Sequence, residues 1–273
     1  MKRIRRLILL LFCCVAVHPG GATAEVVDAS PPDARSVLDR AFRTRYEVDL
    51  TSIIDLTMRN DLGQERRRRF RAMSKMIDDR IHSVGRLVEP EYLRGMTVLT
   101  IESEDRSHDA FLYLPSLDRV RRVSTAQRGD SFFGTDVTYE DLERRRASDY
   151  ELEPLESTRF QDEDAFLVRA RPTRRLDYDR AEFVIAKSDY ALLEVRYLKR
   201  GSDEPHRVIT AERAHMHSQD GHVVPTRLVV ANRARGTTTE VVMKDLRINP
   251  EIEDHVFSVK ALESQRRLRV EGD

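Results

Sequence analysis

Between Asp33 and Tyr46 the apolar residues recur at helical spacing. Val37, Leu38, Ala41 and Phe42 fall on one side of a helix that begins near Pro32 and ends near Tyr46. From Leu50 the period becomes two. Leu50, Ile54, Leu56 and Met58 share one strand face, and Thr51, Asp55 and Thr57 share the other, with Ile53 as the exception. Asn60-Asp61-Leu62-Gly63 then reads as a hairpin turn, and 66–77 as the return strand. Further strands are predicted over 94–102, 110–114 and 120–123. After a less regular middle they continue over 165–170, 180–186, 192–198, 207–216, 223–231 and 238–248.

The links between the late strands are turn-like: Lys187-Ser188-Asp189, Arg200-Gly201-Ser202-Asp203, Gln219-Asp220-Gly221 and Ala234-Arg235-Gly236. They predict a meander of antiparallel hairpins. No strand–helix alternation is present, which disfavours a parallel α/β sheet. A second helix is expected over 139–146, with Thr138 as its cap and Glu140 and Asp141 in its first turn. The pattern as a whole predicts a mainly β, α+β domain: a large curved antiparallel sheet whose helices cover the concave face.

The N-terminus changes the picture of where this domain folds. Met1-Lys2-Arg3-Ile4-Arg5-Arg6 is basic, and 7–17 is an apolar run too short to span a hydrocarbon core. His18-Pro19-Gly20-Gly21 breaks it, and Ala22-Thr23-Ala24 supplies small residues for cleavage. This order is that of a secretory signal peptide over 1–24. A flexible leader over 25–33 and a single domain over 34–273 follow. Cys13 and Cys14 are the chain's two cysteines, and both lie within the signal. Phe12 before Cys13 does not fit a lipidation site. The mature chain therefore has no disulfide and no thiolate chemistry, and an oxidising compartment leaves it untouched. The 47 basic and 47 acidic residues of the full chain become 43 and 47 after cleavage, a charge of −4. That argues against nucleic acid as a partner.

Candidate chemistry is sparse. There is no G-x-S-x-G elbow, no Gly-rich phosphate loop and no H-E-x-x-H pair. Acidic pairs such as Asp78-Asp79 and Asp162-Glu163-Asp164 read as solvated loop carboxylates. No catalytic residue, metal site or cofactor is assigned. His215 and His217 would project to one face of a strand, with His222 near across a turn, but no motif fixes a complete ligand set. The run Arg66-Arg67-Arg68-Arg69 suits either an anionic lipid or acidic partner, or a charged strand edge protected from pairing; the second is favoured. Met58, Phe70, Met73, Met76, Met96, Leu99, Phe111 and Tyr113 fall in successive early strands. Such adaptable apolar groups fill cores and also line pockets for flexible ligands. The candidates for a ligand cavity are Leu50, Ile54, Leu56, Met58, Phe70, Met96, Phe111 and Tyr113.

One stretch carries a resemblance. Phe111-Leu112-Tyr113-Leu114-Pro115-Ser116-Leu117-Asp118-Arg119-Val120-Arg121-Arg122-Val123 runs on to Arg128-Gly129-Asp130-Ser131-Phe132-Phe133-Gly134-Thr135-Asp136-Val137-Thr138-Tyr139-Glu140-Asp141-Leu142. This resembles the outer-membrane lipoprotein-sorting family of LolA-like periplasmic carriers. The resemblance implies an open, half-barrel-like sheet with helices in its mouth. It implies a non-enzymatic periplasmic carrier or chaperone of lipoprotein acyl chains or other lipid, bound for the outer membrane. It also implies transient membrane contact and an inner-membrane exporter of RND or MMPL type as partner. The alternative is a periplasmic lipid-sensing module that uses the same cavity. Within the motif, Gly134 marks a sharp turn where a bulky side chain would obstruct. Phe132, Phe133, Gly134 and Tyr139 are the candidates for a movable lid over the cavity or a rigid plug within it.

Overall fold

The computed structural model describes residues 32–264 apart from 106, 125 and 126. The expected signal peptide and most of the leader lie outside the described residues. Helix α1 (Ala34–Tyr46) opens the described chain. Asp33 caps it, its side chain accepting a 2.7 Å hydrogen bond from the Ser36 amide. Ala34, Val37, Leu38, Ala41 and Phe42 form its buried face. Arg43 and Arg45 occupy the last turn, where the helix dipole favours cations.

The strands are β1 (Leu50–Asn60), β2 (Glu65–Ile77), β3 (Arg80–Glu89), β4 (Thr97–Glu102), β5 (His108–Leu114), β6 (Arg119–Val123), β7 (Tyr150–Leu152), β8 (Glu156–Phe160), β9 (Glu163–Pro172), β10 (Arg180–Ala186), β11 (Leu192–Leu198), β12 (Arg207–Ala211), β13 (Met216–Gln219), β14 (His222–Pro225), β15 (Arg227–Asn232) and β16 (Thr237–Ile248). Helix α2 (Val259–Ser264) ends the described chain. Fourteen strands form one antiparallel sheet in the order β6-β5-β4-β3-β2-β1-β16-β15-β12-β11-β10-β9-β7, with β8 also on β9. β13 and β14 form a separate hairpin. The sheet does not close into a barrel; it is a curved, half-barrel-like surface. The expected fold class is the observed one.

Cross-strand register explains why the sheet has two distinct faces. On the concave face, Val168, Phe183, Val195, Ile209 and Val230 are partners across β9, β10, β11, β12 and β15. Helix α1 packs here, with Phe42 edge-on to Phe183 at 5.4 Å. On the convex face, Met73, Val84, Leu99 and Tyr113 are covered by Ile252, Val256, Phe257 and Leu262 of the C-terminal segment.

Several elements differ from the sequence reading. β3 is absent from the predicted strands; Ile81 and Leu87 are buried on one face and Val84 on the other, so the strand lacks the alternation of a half-exposed one. The strand expected over 207–216 ends at Ala211. Arg213 pairs with Asp189 at 2.7 Å and Glu163 at 2.9 Å, and the chain makes a 3₁₀ turn over Arg213–His215. The strand expected over 223–231 divides after Pro225, where the Thr226 amide instead reaches His215 O at 2.7 Å. The helix expected over 139–146 is only a 3₁₀ turn, Tyr139–Leu142, with Glu143 already extended. Arg144 reaches the half-buried Glu47, Arg145 the buried Tyr197 and Arg146 the buried Glu102, and these ties draw the chain out of a helix. Irregular chain over 127–149, rather than a second helix, shares the concave side with α1. The second α-helix lies on the opposite face.

Candidate functional site

Small side chains in β2 and β3 create a hollow. Ala72 is the direct partner of Gly85, and Ser74 of Ser83, so four small residues adjoin on the concave face. Gly85 is followed across the sheet by Val98, and Ser83 by Thr100. Nothing bulky rises from this patch. The larger side chains of Leu50, Ile54, Leu56 and Phe70 border it from β1 and β2, and Val230, Val241 and Met243 from β15 and β16. Tyr46, Val48, Phe132, Val137, Leu142, Val224 and Pro225 roof it. The cavity is partly open, has a volume of about 260 Å³ and a mostly apolar wall, with Arg45, Asp141 and Arg144 as its charged members.

Leu50, Ile54, Leu56 and Phe70 of the expected lining border this cavity; Met58, Met96, Phe111 and Tyr113 do not. Leu112, not its neighbours, faces the concave core, so strand alternation sends Phe111 and Tyr113 to the convex face under the C-terminal segment. Met96 lies in the connection before β4 and packs into the main core. Met58 is the concave partner of Thr239, beyond the end of the cavity. The residues the sequence reading missed are Ala72, Ser74, Ser83 and Gly85. Their signal is a pair of small residues at alternate positions in each of two successive strands, and it becomes legible only once β3 is placed beside β2.

The 131–142 segment forms part of the roof. Phe132 stacks on Phe70 with centroids 5.3 Å apart and meets Phe133 and Tyr139 edge-on at 4.8 and 5.4 Å. Phe133 and Gly134 both have positive φ, 50° and 77°. Gly134 is required by that backbone conformation and not by crowding, since a Cβ there would meet open space. Phe133 adopts the left-handed region as a non-glycine residue, held by the tight loop in which the Phe132 amide donates to Val137 O at 2.7 Å.

An ionic framework ties this roof to the sheet. Asp136 accepts hydrogen bonds from the hydroxyls of Thr237 and Thr239 at 2.5 and 2.8 Å. Asp141 pairs with Arg207 and, at 3.2 Å, with Arg145. Burial pushes the Asp141 carboxyl up, but the Arg207 charge and hydrogen bond and the Arg145 charge outweigh it and hold the pKa at about 2. Arg144 joins Glu47, the Asp79 carbonyl and Glu102. His108 is buried, its Nε2 accepting from the Arg144 amide at 3.1 Å and its Nδ1 lying 3.8 Å from Glu143. Burial moves the His108 pKa below its ordinary value, against the opposing pull of Glu143. The imidazole is thus neutral with its proton on Nδ1.

Other candidate features resolve simply. His215 sits in a turn rather than on a strand, and His217 contacts Gln219 at 3.3 Å. Among the described residues no group of three or more His, Cys, Asp or Glu is arranged to hold a metal ion. Arg66, Arg67 and Arg68 lie on the part of β2 that runs past the end of β3. They pair with β1 on one side only, and the β3 register begins at Arg69. Arg69 itself is held by Asp55 at 2.6 Å and Glu89 at 2.9 Å. No helix among the described residues is long and apolar enough to cross a membrane.

An open antiparallel half-barrel with a helix and an aromatic loop laid over an apolar hollow is the architecture of the LolA-like class. The chain shares this fold with several solved structures. A DUF1329 family protein from Desulfovibrio piger superposes with a TM-score of 0.77 at 20% identity, over 84% of this chain and 97% of that one. A putative outer membrane lipoprotein-sorting protein domain from Vibrio parahaemolyticus gives 0.75 at 21% identity, over 83% and 97%. A LolA superfamily protein from Nitrosomonas europaea gives 0.66 at 18% identity, over 85% and 100%. The sequence model of a family described as "Uncharacterized protein" matches residues 80–264, and the chain belongs to that family. No curated protein matches the sequence. The resemblance carried by 111–142 therefore holds at the level of the LolA-like fold.

Proposed function

We propose that this protein is a periplasmic carrier whose single domain, 34–273, holds a lipid or lipoprotein acyl chain in the apolar hollow after removal of a signal peptide over 1–24. The observation that carries the reading is the cavity of about 260 Å³ walled by Leu50, Ile54, Leu56, Phe70, Val98 and Val241. Each methylene moved from water into such a wall contributes roughly 0.8 kcal/mol, so a chain binds without a specific polar contact. The volume falls just below the roughly 300–1,000 Å³ of sites that enclose a drug-sized ligand. It suits part of one acyl chain, and a multi-chain cargo requires the roof to move. The role is binding rather than catalysis: of the three charged groups on the lining, Asp141 and Arg144 are engaged by Arg207 and Glu47, and Arg45 lies over the Tyr46 ring. The name of the Vibrio relative refers to lipoprotein sorting in that protein, and it supports the same direction here. Delivery toward the outer membrane and hand-over by an inner-membrane exporter belong to the same proposal.

Gly85 offers a direct test. Its φ is not in the left-handed region, and a Cβ there would lie 3.8 Å from Phe70 Cδ1, an ordinary contact. Gly85→Leu therefore fills the hollow from a position that tolerates a side chain. Native mass spectrometry of wild-type protein purified from the periplasm should reveal a co-purifying acyl lipid, and Gly85→Leu should lose it while melting as wild type does. Lipid occupancy unchanged in a folded Gly85→Leu protein would sink the proposal.

A further inference from the structure

The large hydrophobic side chains that stand out in solvent are not scattered. Among the described residues they are Leu62, Tyr92 and Leu117, at 78, 77 and 65% exposure. Each sits at the tip of a different hairpin: Leu62 between β1 and β2, Tyr92 between β3 and β4, and Leu117 between β5 and β6. Because the strands are antiparallel and neighbours in the order β6-β5-β4-β3-β2-β1-β16-β15, these tips lie at the same end of the sheet. The β15–β16 turn lies there too, since Asn60 at the end of β1 pairs with Thr237 at the start of β16. The β11–β12 connection adjoins it, the Arg233 amide donating to His206 O at 2.9 Å, so five adjacent hairpin tips line one rim.

The tips touch one another. A Cβ on Gly95, in the β3–β4 connection, would come within 3.2 Å of Pro115 in the β5–β6 connection. One on Gly236 would come within 3.7 Å of Asp61 in the β1–β2 turn. The rim is also rich in arginine without carboxylate partners. Arg66, Arg119, Arg233 and Arg235 are exposed, and none makes an ion pair among the described residues. The acids close by are partly occupied. Glu65 pairs with Arg59 and Arg67, Glu91 with Arg94 and Asp203 with Arg180, while Asp61, Asp118 and Glu204 make no ion pair among the described residues.

We propose that this rim is a docking surface for an anionic lipid bilayer. Leu62, Tyr92 and Leu117 enter the headgroup region, and Arg66, Arg119, Arg233 and Arg235 lie over lipid phosphates. Several short apolar anchors ringed by cations are what an interface of this kind requires: a tyrosine prefers the headgroup level, and arginines are drawn to the negative surface potential. A protein partner is the less favoured occupant, because three projecting tips do not form the continuous flat or concave patch that buries well against another protein. The surface lies at the end of the sheet away from the Val48, Leu50 and Pro225 side of the cavity, so the proposal stands whether or not the cavity holds lipid.

Flotation with vesicles of phosphatidylglycerol and phosphatidylcholine tests it. The protein should float with anionic vesicles and not with pure phosphatidylcholine, and binding should weaken as salt rises. Each arginine changed to serine should weaken partitioning by about fivefold. The triple change Leu62→Ser, Tyr92→Ser, Leu117→Ser should abolish flotation. The chain has no tryptophan, so Tyr92→Trp supplies a second reading that needs no destabilising substitution. The indole emission of that variant should shift to the blue on anionic vesicles and be quenched by brominated acyl chains. Equal flotation with neutral and anionic vesicles, an unshifted emission spectrum of the Tyr92→Trp variant, or a triple variant that alters self-association and leaves flotation intact would each overturn the proposal.

Discussion

At the residue scale, the decisive objects are charged groups that the sequence presents as ordinary surface chemistry. The 139–146 stretch reads as a capped helix rich in acids and arginines, and its Glu140, Glu143, Arg144 and Arg145 are all buried. Asp141 is the most consequential. Its pKa is depressed in the folded state, so its contribution to stability is complete above the unfolded value near 3.8 and is lost as pH falls toward about 2. The shift corresponds to roughly 2 kcal/mol. Acid titration followed by circular dichroism should show this loss between about pH 4 and pH 2, and Asp141→Asn should remove that segment of the curve. At neutral pH the same substitution leaves Arg207 and Arg145 buried with a neutral partner, at a cost of about 3–5 kcal/mol. A urea midpoint for Asp141→Asn equal to wild type would refute the role given to the ion pair. None of this is legible from the residues alone, because a carboxylate and an arginine 66 positions apart become partners only when β12 meets the roof.

At the element scale, the hairpins are the legible part. β10 and β11 fall where the alternation places them, and α1 begins one residue after its Asp33 cap. β3 escapes the pattern because both of its faces are covered, and the 139–146 helix is over-read because local capping signals compete with buried arginine partners farther away. The C-terminal segment is the element whose role comes as the largest surprise. It closes the convex face over Met73, Val84, Leu99 and Tyr113, with Phe257 nearly fully buried there. Phe257→Ala should destabilise by about 3–5 kcal/mol and raise hydrogen exchange in 252–262 ahead of the rest of the sheet. Protection of that segment unchanged from wild type would contradict the packing. The roof loop gives a further test. Phe132→Ala, Phe133→Ala removes the ring stack on Phe70. Lower stability with unchanged lipid binding marks a rigid plug; altered lipid uptake at retained stability marks a movable lid.

At the scale of the whole molecule, a carrier is defined by exchange, so binding must be reversible through an opening that costs only a few kcal/mol. The proposed carrier should speed transfer of a fluorescent acyl lipid between vesicle populations, and Gly85→Leu should not. Wild-type transfer no faster than the uncatalysed rate would leave a binding protein and remove the carrier.

The sequence by itself determined the local rules: the helix after Asp33, the hairpin rhythm, and hence a mainly antiparallel sheet. These follow from short-range periodicity and turn chemistry, which are properties of adjacent residues. Only the tertiary structure decided where the hollow lies, which face Phe111 and Tyr113 take, and which arginines are buried in pairs or left at the rim. Those outcomes depend on the register between strands, and a one-residue change in register would send every side chain to the other face.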